Sequence, residues 1–195
     1  MSSKLDINYH TLEEADFSAV ITLATTVHGV GYIDIDMLTA WHQQGIKNAI
    51  NSGYVAYDGE RLVGYRITFA AGQWDIDQWS TPESWQQPKE QVCYFKCNTV
   101  DIDYRGCGIG AQLLKLSSEA AHQQGASAGI AHLWHQSPGN SAVEYFTHCG
   151  GVSIKTHHSR WNADCEQGYI CTICGNDCHC DAQEMIIYFE GSPKN

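Results

Sequence analysis

A glycine-rich turn between a predicted strand and a predicted helix constrains this chain more than any other feature. The turn spans residues 100–110 and has the sequence V-D-I-D-Y-R-G-C-G-I-G. Before it, Val92–Val100 is rich in β-branched and aromatic residues, which predicts a strand. After it, leucines and alanines recur at helical spacing to about residue 124, which predicts a helix. The segment is therefore predicted to form a strand-turn-helix unit.

This glycine turn has the features of an anion-binding site. Gly106, Gly108 and Gly110 lack a Cβ, so a ligand can approach their backbone N–H groups closely. The first N–H groups of a helix have no intrahelical partner, and the helix dipole favours negative charge there. Such a site binds phosphate or pyrophosphate, and Arg105 can add a bidentate contact. The spacing matches neither the dinucleotide-binding G-x-G-x-x-G nor a phosphate-binding P-loop, since no G-K-[ST] follows.

The order V-x-x-x-Y-R-G-x-G-I-G-x-x-L-L resembles the acetyl-CoA-binding motif of the GCN5-related N-acetyltransferases, the GNAT superfamily. This resemblance implies that the turn binds the pyrophosphate of coenzyme A and that the preceding strand edge pairs with the pantetheine arm. The implied pantetheine residues are Val100, Asp101 and Ile102, and the implied pyrophosphate residues are Arg105, Gly106, Cys107, Gly108, Ile109 and Gly110. Ile102 stands where the family often has proline. The alternative is a turn whose glycines serve packing alone.

The order of predicted elements extends the resemblance along nearly the whole chain. Hydrophobic periodicity predicts the order β-α-α-β-β-β-α-β-α-β-β. The resemblance then implies a single α/β domain over residues 1–195, with a GNAT-like mixed, mostly antiparallel central sheet flanked by helices. Thr11 and Glu14 predict a capping box at the first helix, and Asp58-Gly59 predicts a hairpin turn. Two insertions depart from the family pattern, at residues 72–90 and, within the C-terminal hairpin, at the Cys-rich residues 162–183.

Charge and hydropathy limit the classes of partner that we expect for this protein. The chain has 195 residues and a net charge of −11, which repels polyanions, so we expect neither nucleic acid nor an anionic membrane as a partner. The sequence shows no apolar run of about 18 residues, the length of a membrane span, and its first residues carry no apolar signal segment. A cytoplasmic location is therefore predicted. Nothing in the sequence fixes the oligomeric state, and a homodimer is one option.

The first insertion contains three of the six tryptophans, Trp74, Trp79 and Trp85. Exposed aromatic side chains favour interfaces, so this loop could form a lid over the acceptor site or a dimer contact. The other interpretation is a loop that its own tryptophans pin to the body of the domain. The sequence leaves both interpretations open.

The second insertion carries five of the nine cysteines. Pairs of cysteines on tight turns suit tetrahedral zinc. The predicted ligands of a structural zinc ion are Cys171, Cys174, Cys178 and Cys180. Cys165, His179 or the His157-His158 pair could replace one of them. The alternatives are a reduced surface loop, a single disulfide formed during purification, or a redox-sensing thiol cluster, and the spacing between the pairs is shorter than in the usual zinc ribbon.

The resemblance also implies where the chemistry would take place. GNAT enzymes let a neutral amine attack the thioester directly, and an acid protonates the leaving thiolate. Tyr145 is the candidate acid, and Asn140 matches a position that often hydrogen-bonds the cofactor arm. Counting back from Gly150, however, places Phe146 at the acid position, and one residue turns a helical side chain by about 100°. A tyrosine that only packs on the helix face is therefore the alternative.

No general base is assigned from the sequence. The candidates are Tyr94, Lys96 and Asn98 in the strand before the turn, Glu90 at its start, and His132 and His135 on the following strand. The predicted function is transfer of an acetyl or other acyl group from acetyl-CoA, the cosubstrate, to an amine of a small molecule or protein. The alternative is a catalytically weak GNAT-like module that senses acyl-CoA or binds partners through its Cys-rich hairpin.

Overall fold

The computed structural model describes residues 6–137 and 140–191, and its elements follow the predicted order with three short additions, two strands after the second helix and a helix before the last strand. The helices are α1 (Phe17–His28), α2 (Ile35–Gln44), α3 (Ile109–Gln123), α4 (Ser141–His148) and α5 (Asn162–Glu166). The strands are β1 (Ile7–Thr11), β2 (Ile46–Lys47), β3 (Ile50–Asn51), β4 (Tyr54–Asp58), β5 (Arg61–Phe69), β6 (Val92–Val100), β7 (Ala128–Trp134), β8 (Val152–His157) and β9 (Ala182–Tyr188). Within the described residues, no helix has both the length and the apolar character to cross a membrane.

Seven strands form one mixed sheet in the order β1-β4-β5-β6-β7-β9-β8. The neighbours β6 and β7 run parallel, and every other neighbouring pair in this sheet is antiparallel. The short strands β2 and β3 pair with each other in a separate hairpin. The predicted fold class, a mostly antiparallel sheet flanked by helices with a Cys-rich insertion before the last strand, is confirmed.

The strands β6 and β7 part in the middle of the sheet. They pair only from Val92 to Tyr94 on β6, whereas β6 continues along β5 to Val100 and β7 continues along β9 to Trp134. A bulge in β6 leaves Lys96 between two paired positions, just past this parting. The parting exposes backbone groups that a ligand could pair with, and we call it the β6/β7 cleft.

Alternate residues of β6 face two different helix layers, as the pleat requires. Tyr94 and Cys97 pack with the cluster that α1 and α2 form with β5. Phe95 packs with the cluster that contains residues of α3 and α4. The β6/β7 cleft therefore lies between the two layers, with α1 and α2 on one side and α3 and α4 on the other.

Several predicted boundaries move in the structure. Thr11 does not cap the first helix: it pairs with Tyr54 in the sheet, and the Glu13 N–H donates to the Asp16 carboxylate (2.9 Å) before α1 begins. The capping-box prediction was wrong because the backbone of Thr11 is already held by β4. The loop before β6 spans residues 70–91 and the loop before β9 spans residues 158–181; we call them the tryptophan insertion and the cysteine insertion.

Candidate functional site

The glycine turn is held in place by side chains at the end of β6. Asp101 follows the strand directly, and its carboxylate accepts the Asp103 N–H (3.0 Å) and an Arg61 N–H (2.7 Å). The Asp101 N–H itself donates to the Val63 carbonyl of β5 (2.9 Å). Because a charged pair and a backbone bond fix its first residues, the turn has a defined shape before any ligand binds.

The glycines of the turn leave the N-terminus of α3 open. Gly106 and Gly108 have φ values of +77° and +80°, a region that favours glycine, and Gly108 is the N-cap of α3. A Cβ added at either position would meet nothing within 4 Å. Arg105 and Cys107 beside them are exposed. The N-terminus of α3, with its unpaired N–H groups and its dipole, thus faces open space next to a guanidinium group.

A cavity of about 210 Å³ lies between this turn and α1. Its lining comes from the turn residues Asp101, Ile102 and Arg105 and from α1. The Ile102 side chain is 69% exposed, which is unusual for a large apolar group. Of the predicted cofactor residues, Asp101, Ile102 and Arg105 thus line one cavity.

Tyr145 reaches the inner end of the glycine turn. Its hydroxyl donates to the Gly110 carbonyl (3.2 Å) and accepts a hydrogen bond from an Arg66 N–H (2.6 Å). Burial raises the pKa of Tyr145, and the neighbouring Arg66 charge offsets part of that rise. The phenol is therefore protonated at neutral pH, and the guanidinium would stabilise the phenolate left after proton transfer.

The neighbouring Phe146 belongs to the core instead. It is fully buried, lies edge-on to Phe95 with ring centroids 5.9 Å apart, and packs so closely on Gly151 that a Cβ there would lie 2.4 Å from its ring. The count along the sequence that places Phe146 at the acid position therefore does not describe the geometry. The structure turns Tyr145 toward the glycine turn.

Three buried polar atoms near the cleft have no hydrogen-bond partner among the described residues. They are Oδ1 of Asn98, Oδ1 of Asn140 and Nε of Arg66. Asn140 precedes α4 in a left-handed conformation and does not cap it; the Ser137 hydroxyl accepts the Ala142 N–H instead (3.1 Å). A buried unpaired polar atom costs about 1–3 kcal/mol, so these atoms suit a polar ligand such as a pantetheine amide.

Arg66 has no role in the sequence prediction, although a signal for it exists. It is a lone cation inside the otherwise apolar segment 62–71, and it is only 2% exposed in the structure. A buried charge needs specific partners, which here are Tyr145 and the Phe95 ring, 5.1 Å from the guanidinium carbon. Sequence alone does not reveal that this partner is 79 residues away.

On the α1/α2 side of the cleft, Tyr94 and His132 form a hydrogen-bonded pair. The Tyr94 hydroxyl donates to His132 Nδ1 (3.2 Å), and the other ring nitrogen of His132 contacts the Trp79 carbonyl. A carbonyl can only accept, so the proton of the neutral ring belongs on Nε2 and Nδ1 is the acceptor. Burial lowers the pKa of His132. A neutral histidine thus stands behind a tyrosine hydroxyl at the cleft.

The other candidate bases do not take part in this tyrosine-histidine pair. Glu90 and His135 are exposed and have no contact with this pair. Lys96 at the bulge extends over the Trp41 ring, with its ammonium 4.7 Å from the ring centroid, and burial lowers its pKa. Asn98 lies on the opposite side of β6, toward Gly110.

The tryptophan insertion is pinned by a buried carboxylate. Glu184 on β9 is fully buried and accepts four hydrogen bonds: from the Thr81 N–H (3.0 Å), the Thr81 hydroxyl (2.6 Å), the Trp85 indole (2.7 Å) and His157 (2.9 Å). Trp85 is itself fully buried. These contacts favour the pinned loop over a mobile lid. The nearby His132 completes a cluster of metal-ligating types, but the Glu184 carboxylate already has all its acceptor positions in use.

Arg160 joins the two insertions over the same side of the cleft. Its guanidinium contacts Asp77 (3.4 Å) in the tryptophan insertion and Asp164 (3.6 Å) in the cysteine insertion. It also lies 5.3 Å from the centroid of the Trp79 ring. Arg160 therefore links the two insertions beside Trp79, whose carbonyl contacts His132.

The cysteine insertion brings its predicted ligands to one point. The sulfurs of Cys171, Cys174, Cys178 and Cys180 all lie within 4.8 Å of one another. Burial opposes ionisation of the Cys171 thiol, but the backbone at Cys174 and Ile173, together with the Cys178 and Cys180 thiols, favours it, and the net effect lowers its pKa.

The alternative ligands are engaged elsewhere. The Cys165 thiol faces the Gly175 carbonyl (3.9 Å), and His179 bonds to Asp177 (3.0 Å). His157 bonds to Glu184, and His158 lies against Asp181 (3.2 Å). The structure therefore gathers the four predicted cysteines and leaves the substitutes outside the cluster.

This fold and this turn define a family. The chain belongs to the acetyltransferase (GNAT) family, whose sequence profile matches residues 17–150. The predicted resemblance is thereby confirmed. The cysteine insertion lies beyond the matched region.

Three solved structures serve as examples of proteins with the same fold. The ribosomal-protein-S18-alanine N-acetyltransferase of Escherichia coli has a TM-score of 0.66 at 13% identity, over 97% of each chain. YncA of Salmonella typhimurium, with its cofactor acetyl-CoA, has a TM-score of 0.67 at 15% identity, over 97% of this chain and 98% of that one. Arabidopsis thaliana Naa50, in complex with the bisubstrate analogue CoA-Ac-MVNAL, has a TM-score of 0.62 at 17% identity, over 94% and 99%. A search of curated proteins finds no matching relative.

Proposed function

We propose that this protein is an N-acetyltransferase that transfers the acetyl group of acetyl-CoA to an amine of a small molecule or protein. The observation that carries the proposal is the open glycine turn at the N-terminus of α3, which leads directly to the Tyr145 hydroxyl and the β6/β7 cleft. Family membership supports it, as do the acetyl-CoA in the YncA structure and the CoA-peptide analogue in the Naa50 structure.

Acetyl-CoA would lie across the turn and into the cleft. Its pyrophosphate would accept the N–H groups of residues 105–110 and a contact from Arg105, where the dipole of α3 favours negative charge. Its pantetheine would pair with the backbone of Val100, Asp101 and Ile102. Asn140, whose buried side-chain oxygen has no partner among the described residues, would accept a pantetheine amide N–H.

The chemistry would be a direct attack on the thioester. The amine nitrogen forms a bond to the carbonyl carbon, the C–S bond breaks, and the electron pair leaves on sulfur. The thiolate takes the phenolic proton of Tyr145, while Arg66 stabilises the resulting phenolate until it is reprotonated. An ammonium acceptor loses two protons in all. One replaces the proton that Tyr145 gives to the thiolate, and the other passes to solvent. Zinc would have no part here, since a closed four-thiolate site offers no position for substrate.

We assign the first of those deprotonations to the Tyr94-His132 pair. His132 Nδ1 is an acceptor pointed at the Tyr94 hydroxyl, so a proton can pass from the ammonium through that hydroxyl to the ring. Burial lowers the pKa of His132, which favours the neutral ring that accepts this proton. His132→Gln should remove the acidic limb of the kcat/KM profile, and an unchanged profile would contradict the assignment.

The decisive experiment measures thiol release from acetyl-CoA across a panel of amino acids, polyamines and short peptides with free N-termini. Calorimetric titration with acetyl-CoA alone runs beside it. Amine-dependent release with saturable kinetics supports the enzyme. Tight binding without release by any amine would favour the acyl-CoA sensor, and no binding at all would overturn both.

A further inference from the structure

We propose that Cys171, Cys174, Cys178 and Cys180 bind one Zn²⁺, and that this ion orders the cysteine insertion. The proposal goes beyond acetyl transfer, because it concerns a segment outside the matched family region. The metal site is independent of the reaction.

The sulfur geometry fits a tetrahedral ion. With Zn–S bonds of about 2.3 Å, the edges of a regular tetrahedron of sulfurs are about 3.8 Å. The Cys180 sulfur lies 3.8 Å from that of Cys171 and 3.6 Å from that of Cys174. These separations are far above the roughly 2.05 Å of a disulfide, so the sulfurs surround a common point without bonding to each other.

The backbone around the cluster is shaped as a metal-binding turn requires. Cys171 and Gly175 exchange two backbone hydrogen bonds, each 2.9 Å, and Gly175 has a φ of +74°. This closes the first cysteine pair into a tight hairpin.

The cysteine insertion has only a small core. Cys171, Cys178 and Cys180 form its buried centre, with exposures of 4%, 0% and 2%, and the partly buried Trp134, Trp161 and Tyr169 pack against it. By contrast Ile170 and Ile173 are 65% and 58% exposed. Ordering a loop costs backbone entropy at every residue, and a core of this size offsets only part of that cost. A bound ion would supply the remaining free energy.

The first test is metal content, which needs no substrate. Protein purified under reducing conditions without added metal should contain about one zinc per chain. Cys174→Ser, at the least buried of the four cysteines, should fall to near zero. Cys165→Ser is the matched control, because Cys165 packs beside the cluster but contributes no ligand, and it should keep its zinc.

A second measurement keeps the site testable if Cys174→Ser fails to fold. Wild-type protein refolded with Co²⁺ should show the visible bands of tetrahedral cobalt-thiolate coordination. Zinc near zero in the wild type, with all nine thiols titrating freely and no cobalt bands, would overturn the metal site. Neither readout depends on turnover, so failure of the proposed acetyl transfer would leave both results interpretable.

Discussion

The glycine turn and the cysteine insertion both bend the backbone around a point where a ligand would bind, but they obtain their shape differently. The turn stands between β6 and α3, and the Asp101-Arg61 ion pair (2.7 Å) and the bond from Asp101 to Val63 fix it from within the fold. The cysteine insertion has sulfur at its centre and its large aliphatic side chains outside. One region is therefore formed before its ligand arrives, and the other would be formed by its ligand.

This comparison predicts that ligand binding and folding stability separate between the two regions. Changes at the turn should remove binding or catalysis and leave the fold intact. Changes at the cysteine cluster should lower stability and leave acetyl-CoA binding intact.

The largest expected effect is on catalysis. Tyr145→Phe removes the hydroxyl that donates to Gly110 and accepts from Arg66, so kcat should fall by about 10²–10⁴ while the Kd for acetyl-CoA stays nearly constant. Steady-state kinetics and calorimetry give the two values. Tyr188→Phe, on β9 away from the turn, is the control. A wild-type kcat in Tyr145→Phe would assign proton donation to another group.

The next effect is on cofactor binding. Gly108→Val places a branched side chain in the open space at the N-terminus of α3 and imposes a positive φ on it, so the Kd for acetyl-CoA should rise by about 100-fold. Gly125→Val is the matched control, because Gly125 also has a positive φ, +97°, and open space around its Cβ position. Equal affinities of the two variants for acetyl-CoA would contradict the prediction that the glycine turn binds the cofactor.

A smaller effect is expected on thermal stability. Chelation of zinc, or Cys174→Ser, should lower Tm by about 4–8 °C, because a loss of about 2 kcal/mol has that effect in a domain of this size. Acetyl-CoA affinity should not change. Scanning calorimetry with Cys165→Ser as the control checks this. A cluster variant as stable as wild type would show that the insertion holds its shape without metal.

The smallest effect is on the pH dependence of folding stability, through a histidine at the contact between α1 and β6. Burial, and then the charge of Arg105, lower the pKa of His28 to about 4, against about 6.5 in the unfolded chain. The unfolded state therefore binds the proton first, so this contribution is complete above pH 6.5 and is lost as the pH falls toward 4. It should amount to about 1–2 kcal/mol after allowance for partial exposure.

Denaturation curves between pH 7 and 4 measure this loss. His28→Gln should flatten it, since Gln can still reach the Thr99 hydroxyl that His28 contacts at 2.9 Å but does not titrate. His148→Gln, at an exposed histidine, should leave the curve as in the wild type. An unchanged pH dependence in His28→Gln would place the titrating group elsewhere.

The features that the sequence predicts best are local in the chain. Val92–Val100 is a strand with the bounds predicted, and the predicted helix after the turn is Ile109–Gln123. The space around Gly106 and Gly108 is open as predicted, and the four cysteines at 171–180 do converge. Each of these depends on periodicity or backbone conformation within a few residues, so a short stretch of sequence contains the whole cause.

The errors and omissions lie where distant segments meet. Thr11 looked like a helix cap, but pairing with Tyr54 on β4 takes precedence over its local preference. The choice between Tyr145 and Phe146 depends on the packing of Phe95 and Gly151, and the pinning of the tryptophan insertion depends on Glu184, 103 residues after Thr81. A pattern of single residues carries no information about such partners.

By itself the sequence determined the strand-turn-helix unit, the open glycines and the grouping of the cysteines, because φ preferences and side-chain periodicity act along the chain. Only the tertiary structure decided that Arg66 bonds to Tyr145, that Tyr94 bonds to His132, and that Arg160 of the cysteine insertion contacts Asp77 of the tryptophan insertion. Those contacts follow from the strand order and from the parting of β6 and β7, which bring together residues that are far apart in the chain.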